Sequence, residues 1–139
     1  MATVHDVARD AKLIARAREV IRRNYDGVKK NHTVGAALRC ASGSVYVGVN
    51  VYSLHGACAE VVAIGAAITA GEREFACLAC VRGAEGEEIL PPCGNCRQLL
   101  HDYAPDCRVV VPTGDGWTTV RVADLLPVSY KQEEEFRWP

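Results

Sequence analysis

The chain is 139 residues and 15.0 kDa, with 49% hydrophobic residues, the size of one domain around a single core. Its formal net charge is −1 and its pI about 6.4, with acidic and basic residues interspersed, which argues against a polyanion such as duplex nucleic acid as partner and for a small neutral substrate. No apolar leader follows the first residues and no run approaches the roughly 20 apolar residues of a membrane helix, so a soluble cytoplasmic protein is expected.

Residues 6–23, DVARDAKLIARAREVIRR, set Val7, Leu13, Ile14, Val20 and Ile21 at helical spacing among charges, and Arg22 and Arg23 suit the negative end of a helix dipole. An amphipathic first helix is predicted there. TVGAALRC (33–40) and SVYVGVNVY (44–52) flank a short turn with Gly43 and predict a β-hairpin. CAEVVAIGAAITA (58–70) is predicted helical, because its small and aliphatic residues run long and Gly71 supplies the stop. FACLACVRG (75–83) is apolar on both faces, the pattern of a central strand in a covered sheet. The acidic loop AEGEE (84–88) and Pro91–Pro92 lead into CGNCRQLLHDYA, a second buried helix starting near Cys93. CRVVVP (107–112) and WTTVRV (117–122), separated by TGDG, complete the strands. Strands and helices alternating after an opening hairpin predict an α/β fold, a three-layer α/β/α sandwich with a mixed sheet of about five strands. The chain reads as a single domain, 1–139, with no internal repeat or linker. Its tail, 129–139, mixes charges with Tyr130, Phe136 and Trp138 and is expected to dock, on a neighbouring subunit or over the active site.

Seven cysteines, at 40, 58, 77, 80, 93, 96 and 107, are an odd number in a chain with no secretory signal, so metal binding or catalysis explains some of them better than disulfides do. Two CxxC pairs suggest a four-cysteine zinc ribbon, but Cys77 and Cys80 lie three apart in a predicted strand, where side chains alternate faces. They read as small core residues, as do Cys40 and Cys107. Cys93 and Cys96 sit where a loop enters a helix, so both sulfurs can turn to one side and the free N–H groups and dipole end there favour thiolates. They form a zinc half-site. Cys58, at the start of the other buried helix, is the natural third ligand, since two helix N-termini can converge at one edge of a sheet. Three thiolates leave a fourth position for water, the open coordination of a catalytic site. Glu60, two residues after Cys58, is badly placed to chelate alongside it but long enough to move a proton of that water. Arg97 either offsets the negative charge of the thiolates or is a surface cation. His55 is the alternative fourth donor, which would close the site; a loop histidine at the edge of a pocket is the plainer reading. His5, His32 and His101 read as non-catalytic.

With CAE at 58–60 and PCGNCRQ at 92–98 assigned to one open zinc site, the chain resembles the zinc-dependent cytidine deaminase superfamily, of the three-cysteine, small tetrameric type. The likeness runs from TVGAAL at 33–38 through LLPVSY at 125–130. Within the superfamily it extends to the blasticidin S deaminases in GVNVY, CAE followed by aliphatics, PCGNCRQ, and LLP followed by a tyrosine. The resemblance implies one Zn2+ per chain, a homotetramer, and hydrolytic deamination of an aminopyrimidine-type ring with Glu60 moving the proton as ammonia leaves. It also implies substrate-binding roles for Asn50, Tyr52, Thr33 and Tyr130. Two departures bear on the substrate. Cytidine deaminases read NxEN where this chain reads NVYS, which puts Tyr52 in place of a ribose-binding glutamate and makes a substrate without ribose plausible. Tyr52 is thus either core packing or a pocket wall. Glu87 falls where the antibiotic deaminases carry an arginine for the substrate carboxylate, so an acid there is expected to repel that group.

Three functions remain open on these grounds: a zinc aminohydrolase of a small heterocycle, ordinary cytidine or deoxycytidine deamination included; a structural-zinc module without chemistry; and an editing-type deaminase of single-stranded nucleic acid. Near-neutral charge and only two tryptophans and two phenylalanines argue against the last.

Overall fold

The computed structural model describes residues 4–131. Its elements are α1 (Val4–Asn24), β1 (Val34–Cys40), β2 (Val45–Val49), α2 (Ala59–Thr69), β3 (Phe75–Arg82), β4 (Glu88–Ile89), α3 (Gly94–Tyr103), β5 (Arg108–Pro112) and β6 (Trp117–Arg121), followed by a 3-10 turn at Val122–Leu125. The strands run β2-β1-β3-β5-β6, with β4 on β3. Only β3 and β5 pair in parallel; the other pairs are antiparallel, so the sheet is mixed as expected.

Alternation along the strands sorts the core into two halves. Ala37, Cys77, Ala79, Val81 and Val110 meet Leu13, Ile14, Ala17 and Ile21 of α1 on one face. Ala36, Leu38, Cys40, Leu78 and Val109 meet Ala59, Ala63, Ile64 and Ala67 of α2 and Leu100 of α3 on the other. This is the three-layer α/β/α arrangement. The close seat of α2 on the sheet depends on Gly48, where a Cβ would come within 2.7 Å of the Ala63 backbone nitrogen and 2.9 Å of the Ala59 carbonyl oxygen.

Two local differences from the sequence expectation have physical causes. β2 ends at Val49 rather than at 52: the Asn50 side chain takes two backbone N–H groups of the neighbouring segment, and a single bridge, Val51 with Ala57, closes the following loop. The acidic loop yields a short strand, β4. β5 pairs with β3 only at Cys77 and Leu78, which leaves the rest of that edge free, and Glu88–Ile89 folds back onto it with an Arg82–Glu88 ion pair at 2.6 Å.

Under α1, Asp10 is fully buried and takes bonds from Arg39 at 2.9 Å and from both terminal nitrogens of Arg108. Phe136, Trp138 and the rest of the tail from residue 132 lie outside the described residues.

Candidate active site

Cys58 and Cys93 occupy the same structural position on two helices. Each is the residue before the first turn, Cys58 ahead of α2 and Cys93 ahead of α3, both in extended backbone with φ near −66° and −69°. Neither sulfur caps its own helix, so both are free to turn toward each other. Cys96 follows within the first turn of α3 and is fully buried. The three Sγ atoms lie within 4.8 Å of one another, and Cys58 and Cys93 are 3.8 Å apart. Tetrahedral thiolate ligation of zinc at about 2.3 Å requires sulfurs roughly 3.8 Å apart, so this donor set fits the ion. Among the described residues no fourth ligand joins the group.

The electrostatics point the same way. Burial pushes the Cys96 thiol well up, and the charges of Glu60, Cys58 and Cys93 add to it. Burial also raises Cys58, partly offset by Cys96. At Cys93 burial is outweighed by hydrogen bonds, first from the Cys96 backbone N–H, and the thiol falls below its ordinary value. Three sulfurs beside a carboxylate are mutually unfavourable as anions unless a cation shares the site. The cluster fits one Zn2+ per chain.

Glu60, only 4% exposed, lines a cavity of about 350 Å3 with Cys58 and Cys93. Cys80 lies opposite, on the β3 face that carries Leu78. Sequence reasoning placed Cys77 and Cys80 on opposite sides of the sheet and both in the core. Both are buried, Cys77 against α1, but Cys80 also forms part of the cavity wall, beside Glu60. Burial and the nearby Glu60 charge hold the Cys80 thiol well above its ordinary value. The signal that could have found it is alternation: Cys80 shares a face with Leu78, toward the helices whose first turns carry the thiols.

The four residues expected to bind substrate are placed differently from one another. Asn50 is buried and lines the cavity; its Oδ1 accepts the backbone N–H groups of Thr33 at 2.8 Å and Val34 at 2.9 Å. Thr33 is not on the cavity wall and backs Asn50, with its Oγ1 3.5 Å from the Asn50 amide nitrogen. Tyr52 lines the cavity and is 63% exposed, which makes it a pocket wall and not core packing. Tyr130 does not reach the cavity within one chain; it is exposed, and its carbonyl accepts Gln98 Nε2 at 2.9 Å.

Arg97 is not a free surface cation. Its Nε donates to the Pro92 carbonyl at 2.8 Å and a terminal nitrogen to the Leu125 carbonyl at 3.2 Å, tying the loop before Cys93 to the 3-10 turn. His55 stands exposed and outside the thiol cluster. His32 bonds the Asn50 carbonyl at 2.8 Å, and His101 meets the Ser129 hydroxyl at 3.2 Å. Glu87 is turned back on its own loop, where it accepts the Glu85 N–H at 3.0 Å, and it does not line the cavity. The expected repulsion of a substrate carboxylate by Glu87 therefore has no basis within one chain.

This site, two helix N-termini presenting three thiols beside a buried glutamate on a mixed sheet, is that of a zinc-binding deaminase fold. The model of the cytidine and deoxycytidylate deaminase zinc-binding region matches residues 7–112. A blasticidin-S deaminase from Bacillus cereus is 33% identical over 139 residues, covering 94% of this chain and 98% of its own. A cytidine deaminase from Sporosarcina psychrophila is 36% identical over 130 residues, covering 88% and 92%. The crystal structure of cytidine deaminase from Burkholderia pseudomallei superimposes with a TM-score of 0.71 at 32% identity, over 93% of this chain and all of that one. The chain belongs to the cytidine and deoxycytidylate deaminase family, and is a zinc-dependent hydrolytic deaminase. Among its described residues no helix is long and apolar enough to cross a membrane.

Proposed function

We propose that the chain removes the amino group of an aminopyrimidine-type ring that need not carry ribose, with Cys58, Cys93 and Cys96 as zinc ligands and Glu60 as the acid/base. The cluster of three sulfurs, two of which, Cys58 and Cys93, share a cavity with the Glu60 carboxylate, carries this reading. Bound zinc supplies a Lewis acid that makes water a nucleophile at neutral pH. The Glu60 carboxylate takes the proton of the attacking water as the C–O bond forms at the amino-bearing carbon. It then gives a proton to the departing amino nitrogen as the C–N bond breaks and ammonia leaves. Cys80 lines the same cavity beside that carboxylate. Arg97 fixes the loop that presents Cys93.

The substrate class rests on what the wall offers. Tyr52 presents a ring and a phenol where a carboxylate would take ribose hydroxyls. Asn50 has already committed its Oδ1 to two backbone N–H groups, which leaves its amide nitrogen as the polar handle. Among the described residues no lysine or arginine lines the cavity to meet a carboxylate or phosphate. Ordinary cytidine or deoxycytidine deamination is the second reading, favoured by the 36% identity to a cytidine deaminase.

The chain 1–139 acts as one domain in a cytoplasmic homotetramer. Val51, Tyr52 and Leu54 at the rim, and Val128 and Tyr130 before the tail, are exposed apolar or aromatic residues. A neighbouring subunit would cover them and bring its own Tyr130 toward the cavity.

Ammonia release from cytidine, deoxycytidine, blasticidin S, cytosine and other aminated rings tests the substrate reading. It expects the highest kcat/KM on a ring without ribose; cytidine far ahead of the rest would overturn it in favour of the second reading.

A further inference from the structure

A second cavity, of about 490 Å3, opens between α1 and the β1–β2 hairpin, on the sheet face opposite the thiol cluster. Arg9, Lys12, Arg16 and Arg39 all line it, and among the described residues no carboxylate does. Arg9, Lys12 and Arg16 make no ion pair with a described residue. Arg39 is of a different kind. It stands on β1 and is 5% exposed; one terminal nitrogen bonds Asp10 at 2.9 Å, while Nε and Nη1 are buried with no partner among the described residues. Asp10 reaches only the other terminal nitrogen of Arg39, and both of its oxygens also accept from Arg108.

A charged group with two orphan donors this deep in a protein calls for an acceptor from outside the chain, an ion or a water. Three more cations at the same cavity, none ion-paired among the described residues, make a water poorly suited and an anion well suited. We propose that this cavity is an anion site for a phosphoryl group, with Arg39 as its floor and Arg9, Lys12 and Arg16 as its walls. A phosphoryl group offers several oxygens in the geometry that a guanidinium fork matches, and the cavity is large enough for a phosphate that is part of an ester. The occupant would tie α1 to the hairpin without touching the reacting atoms.

Thermal unfolding of the zinc-loaded protein at fixed ionic strength tests this, with inorganic phosphate and adenosine 5′-monophosphate as probes and chloride and adenosine as controls. A saturable rise in Tm is expected with the phosphoryl probes alone, on the order of 5 °C at about 100 times Kd. Saturation by inorganic phosphate identifies free phosphate as sufficient, and saturation by the ester alone identifies a phosphate ester. The double variant Lys12→Glu/Arg16→Glu, two exposed α1 positions away from the chemistry, should fold, keep its deaminase rate and lose the rise. No rise over chloride, or an equal rise in the double variant, would overturn the site.

Discussion

At the level of single residues, Glu60 and the thiols were legible in the sequence because their spacing is tied to helix N-termini: CAE and PCGNC each put a sulfur just before a first turn. Cys80 was not legible as a site residue, because an apolar central strand hides a wall residue among core residues. Tyr52 needed the structure, which shows it 63% exposed on the cavity. If a carboxylate at that position holds ribose, Tyr52→Glu should raise kcat/KM for cytidine relative to cytosine by about 10-fold or more, the scale of one charge-assisted hydrogen bond. An unchanged ratio would remove Tyr52 from the explanation of specificity. Cys96→Ala removes one of the three sulfurs proposed to hold the metal. Metal analysis should then find far less than one zinc per chain, and near-stoichiometric zinc would contradict the assigned donor set.

At the level of elements, the hairpin, the two buried helices and the central strand followed from periodicity and turn residues. The two-residue β4 did not, because it exists only where β5 leaves the edge of β3 uncovered, a fact of pairing and not of local sequence. The buried ion pairs under α1 were equally hidden: Asp10, Arg39 and Arg108 are far apart in the chain and look like ordinary surface charges. Burial alone would raise the Asp10 carboxyl, but hydrogen bonds from Arg108 and then Arg39 outweigh it and hold it below its ordinary 3.8. Because the folded value is depressed, the stability this carboxylate contributes is present above the unfolded pKa, near 3.9, and is lost as pH falls through the folded value. Asp10→Asn should therefore cost roughly 3–5 kcal/mol in denaturant unfolding near pH 7, with two guanidiniums left without their counter-charge, and the gap from wild type should narrow below about pH 4. A gap that stayed constant down the acid limb would show that the charge of Asp10 is not what matters. Gly48→Val would wedge α2 off β2; overpacking of this kind costs about 1–3 kcal/mol and should lower Tm and deaminase rate together, because Cys58 and Glu60 ride on that helix.

For the whole molecule, the opposed faces of the sheet divide the work: α2 and α3 present the chemistry, and α1 covers a buried charge network. Exposed Val51, Tyr52, Leu54, Val128 and Tyr130 fit a subunit interface, so light scattering should return about four times the 15.0 kDa chain mass, and Leu54→Glu should lower it. A monomer at assay concentration would refute the tetramer. The central claim, that one zinc held by three thiols works with Glu60 to deaminate, is met most directly by titrating zinc into metal-free wild type and Glu60→Gln while measuring bound metal and ammonia release on the best substrate of the panel. The account predicts that both bind one zinc per chain, that wild-type activity rises in step with bound zinc, and that Glu60→Gln is slower by about 10²–10⁴-fold at full loading. A fully loaded Glu60→Gln protein turning over at near the wild-type rate would contradict it.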